Sequence, residues 1–411
     1  MNYEPTFLND VVSNQYFIYL AVALGILISY AVKNHLNKKE QADSETLREL
    51  ENEAYLQGVN YLLSKETDKA IEEFIRAVKI NPDTVATYFA LGTLFRNKGE
   101  YSKAVRVHQS IIARPNIDKD TKSQALYNLG RDYKKAGMVQ KGIDILESLS
   151  KTEKYKVEAL YKLQELYEDL KDWDNAIRIV KEITKLENKN KFHILAHLYT
   201  EKAKSIFEDG NELEAKKIFK KAISLDSHCI DAFLHLGDLY FSQENYLKSI
   251  NTWKQVLDIN SFFTHLAYPR LEEAYFRLGK YENIEKLLKN NLAKNKNDIY
   301  CYLALGRYYI NKGDLGEAAI ELQEALNIEP NFIDAKKELG NIYLKNNMID
   351  EIKNEFKNYI QVSNSRYSNY VCKKCGYIAS EIMWKCPQCR KWDSLTPEDR
   401  RKLSRSPNEQ K

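Results

Sequence analysis

The sequence predicts an all-α protein in which nine helix-turn-helix units follow one transmembrane helix and precede a small metal-binding domain. Glycine and proline number only 15 and 8 in 411 residues, which favours helix over sheet. A Leu-Gly pair followed three residues later by an aromatic residue, as in Leu91-Gly92 with Phe95, recurs at intervals near 34 residues. This period is the signature of the tetratricopeptide repeat, whose helical hairpins stack into a superhelix.

Nine copies of the repeat can be aligned on the position that corresponds to Gly92. This position recurs at 58, 92, 130, 164, 203, 237, 272, 306 and 340, with spacings of 34, 38, 34, 39, 34, 35, 34 and 34. A small residue follows twelve positions later and a bulky residue a further four, as at Ala70 and Phe74, on one face of the second helix. We expect the insertions near 115–122 and 187–191 to lengthen the turns between repeats.

The N-terminal segment predicts a membrane anchor. From Val11 to Val32 there are 22 residues without a charge, which as a helix span about 33 Å, the thickness of a hydrocarbon core. A cleaved signal peptide is the alternative, but the basic residues that precede such a peptide's apolar run are missing. Lys33, Lys38 and Lys39 follow the run, so the positive-inside rule places the bulk of the chain in the cytoplasm.

The order of these features predicts six segments. They are an outward-facing N-terminus at 1–10, a transmembrane helix at 11–32, a juxtamembrane linker at 33–50, tetratricopeptide repeats one to nine at 51–366, a metal-binding domain at 367–395 and a hydrophilic tail at 396–411. The charges nearly cancel, with 62 basic and 58 acidic residues. This balance argues against a nucleic-acid binder, which concentrates a basic excess.

Four of the six cysteines lie close together near the C-terminus and predict a metal site. They form two C-x-x-C pairs, Cys372 with Cys375 and Cys386 with Cys389, the number and spacing of a tetrahedral site of four sulfurs. All four positions are filled by protein thiolates, which favours a structural ion over a catalytic one. The ligand set suits iron and zinc alike.

A candidate partner-binding surface lies on the first helices of repeats two and three. In a repeat array the concave groove is lined by positions on the first helix that point away from the second helix. By that register, a basic and aromatic patch is formed by Phe89, Arg96, Tyr127, Arg131 and Lys134. No grouping of nucleophile, base and acid and no phosphate-binding loop is apparent, so we expect a protein that is not an enzyme.

Anchor, repeats and terminal cysteines, in that order, resemble the lipopolysaccharide assembly protein B (LapB/YciM) family of Gram-negative bacteria. Residue strings carry the resemblance: Gly58 to Ser64, Leu91 to Arg96 with Gly99-Glu100, Leu129 to Tyr133, and Trp384-x-Cys386-Pro-x-Cys389-Arg-x-Trp392. The resemblance implies a rubredoxin-like iron site, with zinc as the alternative, packed against the repeats. It also places residues 1–10 in the periplasm and the chain at the bacterial inner membrane.

The resemblance further implies a regulatory scaffold. Members of this family promote degradation of the lipid A deacetylase LpxC by the membrane protease FtsH and gather lipopolysaccharide-assembly proteins at the membrane. The alternative function is electron transfer through a rubredoxin-like iron on a repeat scaffold. A third reading, a zinc ribbon that binds nucleic acid, is disfavoured by the charge balance.

Overall fold

The computed structural model describes residues 7–345 and 370–397, with parts of the first helix (mainly 7–21 and 37–44) described in their backbone alone. The helices are α1 (Phe7–Leu63), α2 (Thr67–Ile80), α3 (Val85–Lys98), α4 (Tyr101–Ile112), α5 (Lys119–Lys135), α6 (Val139–Leu149), α7 (Lys156–Asp169), α8 (Trp173–Glu187), α9 (Phe192–Glu208), α10 (Glu212–Leu225), α11 (Ile230–Ser242), α12 (Tyr246–Ile259), α13 (Thr264–Arg277), α14 (Glu282–Lys294), α15 (Ile299–Lys312), α16 (Leu315–Ile328) and α17 (Ile333–Lys345). A 3₁₀ turn at Ser261–Phe263 precedes α13.

Consecutive helices pair as the repeat period predicts. The end of α1 packs on α2, and α3 on α4, α5 on α6, α9 on α10, α11 on α12 and α15 on α16. The second helix predicted for repeat nine lies outside the described residues. The described residues form two compact units, one up to Leu166 and one from Tyr167 onward. The all-α repeat architecture is therefore confirmed in each unit.

The glycine of the repeat lies against the bulky residue sixteen positions later. A Cβ added at Gly58 would lie 2.9 Å from the Phe74 ring, and one at Gly237 would lie 2.1 Å from Trp253 Nε1. Trp253 is 1% exposed, and its indole N–H donates to the Leu234 carbonyl at 3.0 Å. The glycine therefore serves close helix packing, because no side chain fits between the two helices.

The first insertion lengthens the turn as expected, to six residues (113–118) between α4 and α5, whereas the second lengthens a helix and not the turn. After α8, only four residues (188–191) precede α9, as many as separate α10 from α11. Helix α9 instead has 17 residues, against 14 in α3 and 13 in α11. The expectation of a longer turn near 187–191 is therefore wrong. An inserted segment that continues a helix satisfies its backbone hydrogen bonds internally, which a longer loop would not.

For most residues of the predicted membrane span, the structure does not describe the side chains. Among the side chains that are described, no helix carries an apolar stretch long enough to cross a membrane. The span at 11–32 thus stays a prediction, as does the N-terminus at 1–10, and residues 398–411 of the tail predicted at 396–411 lie outside the described residues.

Replacing Gly237 by alanine tests the packing of the helical hairpin. We expect Gly237→Ala to lower the free energy of unfolding by about 3 kcal/mol, because the added methyl overlaps the buried Trp253 ring. Gly316→Ala is the control, since no described atom lies within 4 Å of its added Cβ. Urea denaturation of both variants measures the difference. Equal urea midpoints for the two variants would contradict the close packing of Gly237 against Trp253.

Candidate metal centre

A three-stranded antiparallel sheet supports the four cysteines. Its strands are β1 (Tyr370–Cys372), β2 (Ile378–Ala379) and β3 (Leu395–Pro397), in the order β2-β1-β3. Tyr370 pairs with Ala379 on one side and with Pro397 on the other. The sheet therefore extends to 397, two residues past the boundary predicted at 395, because the end of β3 completes the pairing with β1.

The two C-x-x-C loops share one backbone conformation. In the first loop, Gly376 N–H donates to the Cys372 carbonyl at 2.9 Å, and Cys372 N–H donates to the Tyr377 carbonyl at 2.8 Å. In the second, Arg390 N–H donates to the Cys386 carbonyl at 2.8 Å, and Cys386 N–H to the carbonyl of the residue after Arg390 at 2.9 Å. The fourth residue after each leading cysteine has positive φ, 74° at Gly376 and 60° at Arg390.

The four sulfurs converge as a tetrahedral metal site requires. Their Sγ atoms all lie within 4.8 Å of one another, with 3.6 Å between Cys372 and Cys389 and 3.6 Å between Cys375 and Cys386. A tetrahedron of sulfurs about 2.3 Å from a central ion has edges of about 3.8 Å. The sulfurs are far outside disulfide distance, which is about 2.05 Å. The donor set therefore fits one metal ion.

The thiols of the first loop differ in their pKa. Burial raises the pKa of Cys372, but hydrogen bonds from Ser394 and from backbone N–H groups of the loop bring it down to about 6. A backbone hydrogen bond lowers the pKa of Cys375, yet burial and the three neighbouring cysteines raise it to about 12. Four thiolates so close together repel one another, so full deprotonation needs the positive charge of a metal ion.

The aromatic residues of the metal domain contact the repeats through His197 of α9. Its imidazole stacks on the Trp392 ring, with centroids 4.9 Å apart and planes 15° apart. The Trp384 ring lies 5.9 Å away on a second side. His197 Nε2 is 2.7 Å from Asp393 Oδ1, and the imidazole is 1% exposed. A residue of repeat five is thus enclosed by the metal domain.

Polar contacts on either side of His197 extend this interface. Arg390 Nη2 lies 2.5 Å from Asp169 Oδ1, and the Lys385 ammonium pairs with Glu168, both acidic residues lying at the end of α7. The Tyr370 hydroxyl lies 2.7 Å from Nε2 of His265 in α13. We call these contacts, together with His197 and its partners, the docking interface.

The two histidines of the docking interface have opposite pKa shifts. Burial alone would lower the pKa of His197, but the carboxylates of Asp231 and Asp393 raise it well above its ordinary value. Burial lowers the pKa of His265 to about 4, with only a backbone group opposing it. At neutral pH His197 is therefore charged between two carboxylates and His265 is neutral.

Cys229, His197 and Asp231 form a grouping that resembles a nucleophile with its base. Cys229 Sγ is 3.9 Å from His197 Nδ1, and Asp231 Oδ2 is 3.7 Å from the same nitrogen. All three residues are at most 2% exposed, so no substrate can reach the sulfur. The grouping is a structural element of the docking interface.

Arg96 does not lie on an open groove as the sequence predicts. It is 5% exposed, and its guanidinium is 2.7 Å from Oδ1 of the fully buried Asp132. The other carboxylate oxygen lies 2.5 Å from Nδ1 of the fully buried His108. An ion pair so deeply buried is costly to break, so Arg96 holds repeats two and three together rather than facing a partner.

The other four residues of the patch, Phe89, Tyr127, Arg131 and Lys134, are partly exposed. The Arg131 guanidinium lies over the Tyr127 ring, 5.8 Å from its centroid, and that ring stacks on Tyr155 at 5.6 Å. Lys134 Nζ is 3.0 Å from Glu165 Oε2. The patch without Arg96 stays a prediction as a partner-binding surface.

The resemblance implied that the metal site packs against the repeats, but the sequence reasoning identified none of the residues of the docking interface. Nothing in the repeat pattern sets His197 or His265 apart from other histidines of the array. The one local signal was the aromatic pair Trp384 and Trp392, which flanks the second C-x-x-C pair. Both rings lie against His197, because a domain of this size leaves aromatic residues at its surface.

Comparison with known proteins supports both parts of the described structure. Residues 370–397 match a family model described as a rubredoxin metal binding domain. Tetratricopeptide-repeat models match residues 54–84, 87–120, 124–152 and 299–332. A solved tetratricopeptide repeat protein from Parabacteroides merdae, 17% identical, covers 71% of this chain and 98% of its own length at a TM-score of 0.34. That score is too low to carry an argument.

Two curated relatives match most of the chain. Lipopolysaccharide assembly protein B of Escherichia coli K12 is 26% identical over 348 residues, which cover 84% of this chain and 88% of the relative. The protein of the same name from Haemophilus influenzae is 27% identical over 366 residues, covering 84% and 89%. The resemblance to the lipopolysaccharide assembly protein B family is confirmed.

Removal of one thiolate tests the metal centre. We expect Cys386→Ser to lose the bound ion and the hydrogen-exchange protection of residues 370–397, because this small domain depends on its metal. Cys301→Ser is the matched control, since Cys301 is buried in the repeats, where its Sγ lies 3.3 Å from the Leu288 carbonyl oxygen. Elemental analysis should find one ion per chain in the control. Full metal content in Cys386→Ser would contradict the site.

The raised pKa of His197 predicts how docking depends on pH. A raised pKa contributes stability that is complete below the unfolded value near 6.5 and is lost as pH rises through the folded value. We therefore expect hydrogen-exchange protection of residues 370–397, corrected for intrinsic rates, to fall as pH rises above neutrality. We expect His197→Gln to lose about tenfold in protection at pH 6.5, because a charged hydrogen bond is removed.

The control for this experiment is His228→Gln, since His228 is a well-exposed histidine of the same repeat array. The depressed pKa of His265 acts in the opposite sense and removes stability only as pH falls below about 6.5 towards 4. Of these two histidines, only His197 can therefore cause a change in hydrogen-exchange protection above neutral pH. A pH profile above neutrality that His197→Gln leaves unchanged would contradict the assignment.

Proposed function

We propose that this chain is an inner-membrane scaffold that regulates lipopolysaccharide synthesis. The observation that carries the proposal is the similarity to lipopolysaccharide assembly protein B, which extends over 84% of the chain and includes both repeats and metal domain. Generic repeat proteins would match the repeats alone. The same relatives favour this reading over electron transfer, the alternative function.

The first helix supports a membrane anchor. Six large apolar side chains of α1 between 22 and 32 are each at least 53% exposed, and they are Val22, Leu24, Ile26, Leu27, Tyr30 and Val32. Soluble helices hide such a run against a core. We propose that lipid covers it, with the charged residues after Val32 on the cytoplasmic side.

The anchored scaffold would act as an adaptor in proteolysis. We propose that the repeats present the lipid A deacetylase LpxC to the membrane protease FtsH and gather further lipopolysaccharide-assembly proteins. An adaptor of this kind needs no chemistry of its own, because tethering two proteins to one scaffold raises their effective concentration. The patch around Tyr127 and Arg131 offers partly exposed cationic and aromatic groups to such a partner.

The ion in the metal centre would be structural in this function, and we propose iron. With four protein thiolates as ligands, no coordination position is left for a substrate or water. The docking interface links the ion to the repeats, so we expect the scaffold to depend on metal occupancy.

Depletion of the protein in its native host tests the proposal. We expect the half-life of LpxC and the lipopolysaccharide content to rise several-fold, because the protease loses its adaptor. Complementation with wild type and with Lys135→Glu, an exposed residue of α5, should restore both quantities. Arg131→Glu should restore them less, because it reverses the charge of the patch. Unchanged turnover of LpxC on depletion would overturn the adaptor function.

A further inference from the structure

A basic groove lies on repeats four and five, and none of its lining residues belongs to the metal centre or to the patch. It has a volume of about 790 Å³ and is bounded by residues of α8 and α10, with Tyr199 and Lys202 of α9. Six basic residues line it, namely Arg178, Lys181, Lys185, Lys202, Lys217 and Lys221. Three acidic residues accompany them, so the groove carries a net charge of +3.

This charge is concentrated compared with the rest of the chain. The groove holds +3 on twelve residues, whereas all 411 residues together carry +4. Two of its three acids have nearby lysines, since Asp174 pairs with Lys202 and Glu214 lies 3.7 Å from Lys217. A concave surface with a net positive charge concentrates its electric field and attracts anions.

Two lysines on different helices converge on one phenol in the groove. Lys181 Nζ of α8 lies 5.6 Å from the centroid of the Tyr199 ring, and Lys221 Nζ of α10 lies 4.7 Å from it. Tyr199 is 7% exposed, so the ring is fixed by its neighbours. Burial would raise the pKa of Tyr199, but hydrogen bonding to both ammonium groups lowers it. Two like charges held at one place repel each other unless an anion joins them.

A second pair of lysines contacts a tyrosine ring outside the basic groove. Lys216 and Lys248 lie 5.1 Å and 5.8 Å from the ring centroid of Tyr240, but they are not part of the basic groove. A lysine beside the repeat aromatic is therefore a packing feature of this array. The pair on Tyr199 differs because it lies in a basic cavity that also contains Lys185, for which the described structure gives no acidic partner.

We propose that the basic groove binds a phosphate-bearing ligand. Lys181 and Lys221 hold the phosphate above Tyr199, as lysines bind phosphate through compact, mobile positive charges. The volume exceeds that of a lone phosphate and suits a ligand with a larger organic part. That part lies against Ile177 and Ile218, the apolar residues of the groove. This site does not depend on the adaptor function.

Calorimetric titration of the full chain in uncharged detergent micelles tests the site with two probes. Pyrophosphate represents a soluble phosphate ligand, and phosphatidic acid added to the micelles represents a lipid headgroup. We expect saturable binding of at least one probe, weakened about tenfold in Lys181→Gln/Lys221→Gln, because both charges on the phosphate are lost. Binding of pyrophosphate alone assigns a soluble ligand, and binding of phosphatidic acid alone assigns a lipid.

Lys216→Gln/Lys248→Gln is the matched control, because it removes the same ring contacts outside the groove, and we expect its affinity to change less than about twofold. Lys185→Glu provides a second variant at an exposed position, should the double variant lower the thermal midpoint, and we expect it to weaken binding as well. The proposal is overturned if neither probe binds saturably, if both double variants lose affinity equally, or if Lys185→Glu leaves affinity unchanged.

Discussion

The repeats of this chain depend on one steric constraint, the close approach of the two helices in each hairpin. In the hairpins of repeats one, two, three, six and eight, the first helix presents a glycine at the point of contact, and the second helix places a bulky group there sixteen positions later. Gly58 against Phe74, Gly130 against Leu146 and Gly306 against Leu322 repeat this contact. The 34-residue period of the sequence follows from this contact, because each repeat must place its glycine and its bulky residue at the same positions of the hairpin.

Repeat two shows how this constraint admits buried polar groups. Its bulky group is His108, whose ring would lie 2.5 Å from a Cβ at Gly92. A buried imidazole needs a polar partner, which Asp132 supplies, and a buried carboxylate needs a cation, which Arg96 supplies. Arg96 is therefore held by a chain of contacts that begins with the packing of His108. A groove register read from the first helices alone could not reveal this, because His108 lies on the second helix of its repeat.

The sequence predicted the elements governed by local rules and missed those governed by contacts across long separations. Helical hairpins and the convergence of the four sulfurs follow from spacing and residue type, and each was predicted. The contact of His197 with Asp393 joins residues 196 positions apart, and no local pattern encodes it. The insertion at 187–191 was misread because the spacing of the repeats does not say which element takes up the added residues, and here the turn keeps four residues while α9 is longer.

Arg390 illustrates why the metal domain and the repeats act together. Its position in the second C-x-x-C loop requires positive φ, which glycine satisfies at no cost in the first loop and arginine satisfies only with strain. Strain of this kind persists where another interaction compensates for it, and here the guanidinium reaches Asp169 of α7. The backbone that shapes a metal ligand loop thus also directs a side chain into the docking interface. Loss of the ion would release that loop, and with it a contact that holds the domain on the repeats.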